Sequence, residues 1–350
     1  MVRLTDLIRG AQGSPDDEGG EKQSSAGEAA NLPRPEPIQL RNLSAGQAEA
    51  AEPSGPQQDW YGTAEAVLQT MAEDIRRRQT VALGDLPVIA TAFVTSLARD
   101  DRLFVGAVSS RTEASQVRNL VNTAIFAVKI GMGLGYRRDE LSRLALAGMV
   151  HDLGMFRLPD QLLNDPGRWA DHQLGLLRTH PNLGAELLAQ VAPDQPWLAE
   201  VALQEHERAN GTGYPRGLKG YQTHEFAQVI GLADVFDALL TPRAYRRKML
   251  PHEAIRELLM VEKAAFSSQV IKAMVEQFSV FPLGTTVRLN TGEVGVVAHL
   301  NQRFPLRPVV RISQGVDRGL LAEPKDVDLS KTTLVHIVEV LAPDGVPGET

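Results

Sequence analysis

All eight histidines of the chain lie at or beyond position 151, and three of them stand among residues that can share a metal ion or move a proton. His151 precedes Asp152 in VHDLG, His180 lies in RTHPNLG, and His206 is flanked by Glu205 and Glu207 in QEHERANGTGYP. A fourth segment, LADVFDALL, carries Asp234 and Asp237. Imidazole nitrogens and carboxylate oxygens together form a donor set for divalent first-row metals. The chain has no cysteine, so thiolate ligation, disulfides and cysteine nucleophiles are excluded.

These groups need elements that bring them together, and the apolar spacing supplies them. Leu141, Leu144, Ala145 and Gly148 recur at helical spacing and continue into His151 and Asp152, which predicts a buried helix face ending in an imidazole and a carboxylate. Leu198, Val201 and Ala202 lead in the same way into Glu205 and His206, and Ile230 and Ala233 lead to Asp234 and Asp237. Polar groups at the ends of apolar stripes are costly unless they are paired or share a cation. A divalent ion would satisfy all of them; the plain alternative is a helical scaffold in which they only hydrogen-bond one another. His172, His224, His252, His299 and His336 have no such carboxylate pattern around them and receive no functional role.

The rest of the chain sets the frame. With 350 residues, 38.1 kDa, 43% hydrophobic and 23% charged residues, it has room for two or three domains with real cores. A net charge of −7 argues against binding a nucleic-acid polymer. No apolar run is long enough to span a membrane and the N-terminus lacks the apolar core of a signal peptide, so a cytoplasmic location is expected. Residues 1–57, rich in Ala, Gly, Ser, Pro and Glu, read as a disordered arm. Residues 58–110 read as an N-terminal helical region, with Val67, Leu68, Met71 and Ile75 at helical spacing. Residues 111–280 read as a mainly helical domain punctuated by Gly and Pro. Residues 281–343 read as a small β-module of about five strands, opening with a hairpin around Asn290-Thr291-Gly292, and 344–350 as a tail. The expected fold is therefore mainly α: a short helical layer, a helical main domain and a small C-terminal β-module.

The ordered set HDLG, THPNLG, HERANGTGYPRGLKG and LADVFDALLTPRAYRRK resembles the HD-GYP family, a branch of the HD-domain metal-dependent phosphohydrolases. The likeness runs from Asn119 to Phe278. It implies an all-helical domain that holds iron or manganese and hydrolyses the bacterial messenger cyclic di-GMP. Carried over by position, it makes His151 and Asp152 metal ligands, with Asp152 the catalytic, bridging carboxylate between two ions. His180 and His206 become ligands of the second ion, Asp234 closes the shell of the first, and Asp237 is a further catalytic candidate. Arg243 and Arg246 fall where the family places cations on the substrate's phosphates, a role suited to the planar guanidinium fork. Gly213, Tyr214 and Pro215 form the signature loop, which is credited with partner contact.

Several positions depart from the family pattern. Asn119 stands where the family has an upstream His ligand, Ser115 where it has a Glu, and Met155 where it has a Lys. Glu205 replaces the first His of a pair, and Asn210 replaces an Asp. Glu205 remains a competent ligand, suited also to harder ions such as Mg; an amide at 119 is a poorer one. The expectation is an atypical phosphodiesterase acting on cyclic di-GMP or a related cyclic nucleotide through one or two divalent ions, Fe or Mn first and Mg next. The alternative is a degenerate domain that binds a nucleotide or a protein and signals without cleaving. A diguanylate-cyclase-type or other signalling protein at the signature loop, and a homodimer, are the partners the likeness implies.

Overall fold

From Leu120 to Gly131 every residue is buried, and a helix that is apolar on all sides belongs at the centre of a core. In the computed structural model this run lies within α4, and the other elements are arranged around it. The structure describes residues 58–109, 115–163, 170–241, 249–278, 281, 284–299, 301, 307–316, 319–332 and 334–341. The described residues from Trp60 onward fall in one compact unit.

In chain order the helices are α1 (Trp60–Arg76), α2 (Leu86–Arg99), α3 (Arg102–Ser109), α4 (Gln116–Gly133) and α5 (Arg138–Val150). A 3₁₀ turn (Leu153–Arg157) and the short α6 (Asp160–Leu163) and α7 (Asp171–Leu177) follow, then α8 (His180–Val191), α9 (Pro196–Gln204) and α10 (Glu225–Leu240). Last come α11 (Pro251–Glu257), continued by a π turn at Leu258–Glu262, and α12 (Ser268–Gln277). Proline sits in the first turn of α2, α8, α9 and α11, where its missing N–H removes a donor that would have no partner. α4 starts at Ser115, whose Oγ accepts the Arg118 N–H at 3.4 Å. α10 starts at His224, whose Nδ1 accepts the Phe226 N–H at 3.1 Å.

α4 packs against α1, α2, α3, α5, α10 and α12. Phe104, Phe126, Phe236 and Phe278 knit four of these segments together, with ring centroids 5.6 Å apart for Phe104–Phe126, 5.1 Å for Phe126–Phe236 and 4.8 Å for Phe236–Phe278. Such tilted and edge-on pairs add to the burial of large rings. The one charge in the buried run of α4, Lys129, reaches Asp101 at 2.7 Å.

After Phe281 the apolar period changes to two. Five strands, β1 (Thr286–Leu289), β2 (Val294–His299), β3 (Val309–Gln314), β4 (Leu320–Asp328) and β5 (Ile337–Val340), form one sheet in the order β4-β3-β2-β1-β5. All neighbours are antiparallel. The β1–β2 hairpin turns at Asn290-Thr291-Gly292, with Gly292 at φ +91°, a value an L-residue rarely adopts. Val287, Leu289, Val297, Val310 and Ile312 face inward and belong to the same continuous hydrophobic core as the helices. The other face carries cross-strand ion pairs, Arg288–Glu339 at 2.7 Å and Arg311–Asp326 at 2.8 Å. The mainly helical architecture with a terminal β-module is as the sequence predicted. No described helix is long and apolar enough to cross a membrane.

Candidate metal centre

α5 delivers its apolar stripe, Leu141, Leu144, Ala145 and Gly148, into the core and ends at His151 and Asp152. The chain then tightens into the 3₁₀ turn, which packs against the start of α8. Contact there is backbone to backbone: a Cβ on Gly154 would lie 2.0 Å from the His180 carbonyl oxygen and 2.5 Å from the Gly184 nitrogen. The glycines of HDLG and HPNLG are thus the two sides of one close crossing, which sets Asp152 beside His180. α9 ends just before Glu205 and His206, and supplies the third side.

Asp152, His180, Glu205 and His206 each offer one ligand atom, and these atoms all lie within 4.8 Å of one another. Nε2 of His180 is 3.3 Å from Asp152 Oδ1 and 2.8 Å from Nε2 of His206. Glu205 turns one oxygen toward His206, at 3.8 Å, and the other toward Nε2 of His151, at 3.3 Å. The Asp152 side chain keeps 18% of its exposure while Glu205 has none, so the group opens to solvent on the Asp152 side.

The ring orientations suit ligation. His151 donates Nδ1–H to the Gly148 carbonyl at 2.8 Å, and His180 donates Nδ1–H to the Leu177 carbonyl at 2.7 Å. A carbonyl can only accept, so the proton is on Nδ1 and the Nε2 lone pair faces the cluster. That is the arrangement metal-binding histidines adopt. Burial keeps the rings neutral: it pushes His180 down to about 4 and lowers His151 and His206 as well. Burial pushes Asp152 and Glu205 the other way, well above the usual carboxylate range, and neighbouring carboxylates add to it: Asp234 for Asp152, Asp152 and Asp234 for Glu205. Among the described residues, both Glu205 oxygens, Asp152 Oδ1 and His151 Nε2 are buried without a hydrogen-bond partner. An unmet buried polar atom costs about 1–3 kcal/mol. Three side chains bring four such atoms to one place; a divalent cation held by Asp152, His180, Glu205 and His206 would relieve the carboxylate oxygens that face it, and the donor set of two imidazoles and two carboxylates fits Mn, Fe or Zn.

Asp234 and Asp237 stand outside the four-atom group. Both are buried on α10, and both are held by Asn119 of α4, whose Nδ2 donates to Asp234 Oδ1 at 2.8 Å and to Asp237 Oδ2 at 3.0 Å. Met155 packs with Leu158, Leu162 and Leu177 in a small apolar cluster. Arg243 and Arg246 lie outside the described residues.

The Gly213-Tyr214-Pro215 loop folds back onto the ligand segment. A Cβ on Gly213 would lie 2.4 Å from both the Arg208 nitrogen and the His206 carbonyl oxygen. Tyr214 stacks on His206 with ring centroids 4.7 Å apart and planes at 21°, and the Arg178 guanidinium lies 5.4 Å from the Tyr214 ring centre. Two buried residues that the sequence reading gave no role organise this region. The Glu207 carboxylate accepts the N–H groups of Arg216 at 2.7 Å and Leu218 at 2.8 Å. Arg208 donates to the carbonyls of Glu205 and Glu207 at 3.0 and 2.9 Å. The only sequence signal for them was a charged run, EHER, directly behind an apolar stripe; charge normally marks a solvated surface.

Comparison with known proteins agrees with this geometry. Residues 102–269 match the HD domain family and residues 286–347 match a KOW domain associated with HD domains. A cyclic di-GMP phosphodiesterase of Pseudomonas aeruginosa is 32% identical over 252 residues, 71% of this chain and 60% of that protein. A cyclic di-GMP phosphodiesterase response regulator of Xanthomonas campestris is 32% identical over 149 residues, 41% of this chain and 38% of its own length. The chain thus spans about 60% or less of these relatives. Among solved structures, an HDG"Y"P protein from Bdellovibrio bacteriovorus shares the fold, with a TM-score of 0.50 and 19% identity over 61% of this chain and 69% of the other.

Proposed function

Because the chain belongs to the HD-domain family, we propose that it is a metal-dependent phosphodiesterase that hydrolyses cyclic di-GMP or a closely related cyclic dinucleotide. The observation that carries this reading is the convergence of a partly buried Asp152 with the buried His180, Glu205 and His206, the His180 lone pair aimed into the group. The relatives named for hydrolysis of cyclic di-GMP support the substrate and favour turnover over binding alone.

A divalent cation at such a site supplies Lewis-acid polarisation of a phosphate oxygen and an activated water for in-line attack. Asp152, His180, Glu205 and His206 would hold it. The chain's own residues do the rest. Asp152, the ligand with solvent access, marks the side from which a phosphodiester approaches. His151 faces Glu205 as a neutral imidazole, and the charge around Glu205 is set by Asp152, Asp234 and Arg208. Arg243 and Arg246, which follow α10 in the sequence, are our candidates for the second phosphate of the dinucleotide. Tyr214 holds the His206 ring in plane, and its loop is our candidate for contact with a signalling partner. Iron and manganese are the first ions to test, and magnesium the next, because Glu205 places a hard oxygen where an imidazole would be softer.

The test is made on protein purified without oxygen. Cyclic di-GMP is incubated with the Fe(II)- or Mn(II)-loaded chain and with Asp152→Ala, and products are followed by chromatography. We expect linear product from the intact chain and at least a hundredfold less from the variant. Metal bound without product, with either ion, would instead identify a receptor domain and overturn the hydrolase reading.

A further inference from the structure

The position of Asn119 carries a consequence for how many ions the site takes. Its amide nitrogen has two hydrogens and no lone pair to give, since that pair is delocalised into the carbonyl. Both hydrogens are committed, one to Asp234 and one to Asp237. These two carboxylates lie one turn apart on α10, 6% and 2% exposed, and two buried carboxylates side by side repel unless a donor or a cation stands between them. Asn119 is that donor. The oxygen of Asp234 that it engages is thereby used for hydrogen bonding, and Asp234 stays outside the group formed by Asp152, His180, Glu205 and His206.

We infer that Asn119 is a positioning residue that fixes the metal stoichiometry of this chain at one ion, held by Asp152, His180, Glu205 and His206, by keeping Asp234 as a hydrogen-bonded counter-charge. The inference rests on the metal-site reading above. It assigns His151 and Glu205 Oε2, 3.3 Å apart, to an incomplete second position: one imidazole and one carboxylate oxygen, with Asp234 tied to the Asn119 amide. Replacing the amide with a group that turns a lone pair, instead of an N–H, toward Asp234 should complete that position, because the new side chain could then join His151 and Asp234 as a ligand instead of donating to Asp234.

The test is metal content with a spectroscopic readout, independent of turnover. The wild-type chain, Asn119→His and Asn119→Asp are loaded with Mn(II), passed through gel filtration, and analysed for manganese per chain and by electron paramagnetic resonance. We expect one ion in the wild type with the signal of an isolated Mn(II), and two ions in Asn119→His with the spectrum of an exchange-coupled pair. Asn119→Asp, close in size to the native residue, should also take up more than one ion. Two coupled ions in the wild type would overturn the inference and leave the metal site standing. One ion in the wild type and in both folded variants would overturn it too, since Asn119 would then not set the number. No retained ion in any of the three would remove the metal reading itself.

Discussion

His180, one of the four candidate ligands, also reports on the state of the site. Its ring is buried, its Nδ1 proton is fixed on the Leu177 carbonyl, and burial holds its pKa at about 4 against an ordinary 6.5. The sign of the consequence is set by which state binds the proton first. As pH falls below 6.5 the unfolded chain protonates this imidazole while the folded chain still excludes the proton, so stability is lost until the folded pKa is reached. The full window corresponds to on the order of 3 kcal/mol. Asp152 and Glu205, whose carboxyls are raised, pull in the opposite direction over their own range, so the measurement must be differential. Urea unfolding in EDTA, from pH 7 to pH 4, should show the wild type losing on the order of 3 kcal/mol more than His180→Gln. Equal losses would mean that the folded protein protonates His180 as readily as the unfolded one. The same proton competes with metal, so Mn(II) affinity should also fall across this range.

At the scale of elements, the site depends on how closely the 3₁₀ turn approaches α8. Gly154→Ala would push a methyl against the His180 carbonyl and the Gly184 nitrogen, both backbone atoms that cannot swing aside. Overpacking of this kind costs about 1–3 kcal/mol, and here it also parts Asp152 from His180. The expected outcome is a lower urea midpoint together with at least a tenfold weaker Mn(II) affinity. Gly175→Ala in α7, where an added Cβ meets nothing, should keep the affinity and raise the midpoint slightly. A Gly154→Ala protein that unfolds earlier yet binds Mn(II) normally would show that the crossing supports the fold but not the ligands. Of the candidate ligands, Asp152, Glu205 and His206 were legible in the sequence because apolar stripes at helical spacing ran straight into them, and His180 was placed there only by the resemblance. The β-module was legible because its period and its Asn-Thr-Gly turn follow from local chemistry. The donor role of Asn119 was not, since an amide has both a donor and an acceptor end and only the fold decides which end meets Asp234. Glu207 and Arg208 were missed for a related reason: charged residues become buried organisers only where a loop returns to meet them, and that return is tertiary.

For the whole molecule, the cluster joins segments that are distant in sequence: the turn after α5, the start of α8 and the end of α9. None of these can separate from the others without unmaking the site, and α5 and α9 share the continuous core with α4 and α10. An ion bound by all of them therefore binds the native state and not the unfolded chain, and must stabilise the fold as a unit. At a free ion concentration a hundred times the dissociation constant the gain is about 2.7 kcal/mol. For a domain of this size about 2–4 °C of Tm accompanies each kcal/mol, so Mn(II) should raise the Tm of the EDTA-treated chain by about 5–10 °C at that ratio. The shift should rise with the logarithm of ion concentration, which nonspecific surface binding to an acidic protein would not follow at high ionic strength. Asp152→Asn, which removes the accessible ligand but nothing from the core, should abolish most of the shift. If calorimetry in 0.3 M salt (about 5 Å of screening length) shows the same Tm with EDTA and with Mn(II), the four side chains do not bind the ion in the folded protein, and their burial needs another explanation.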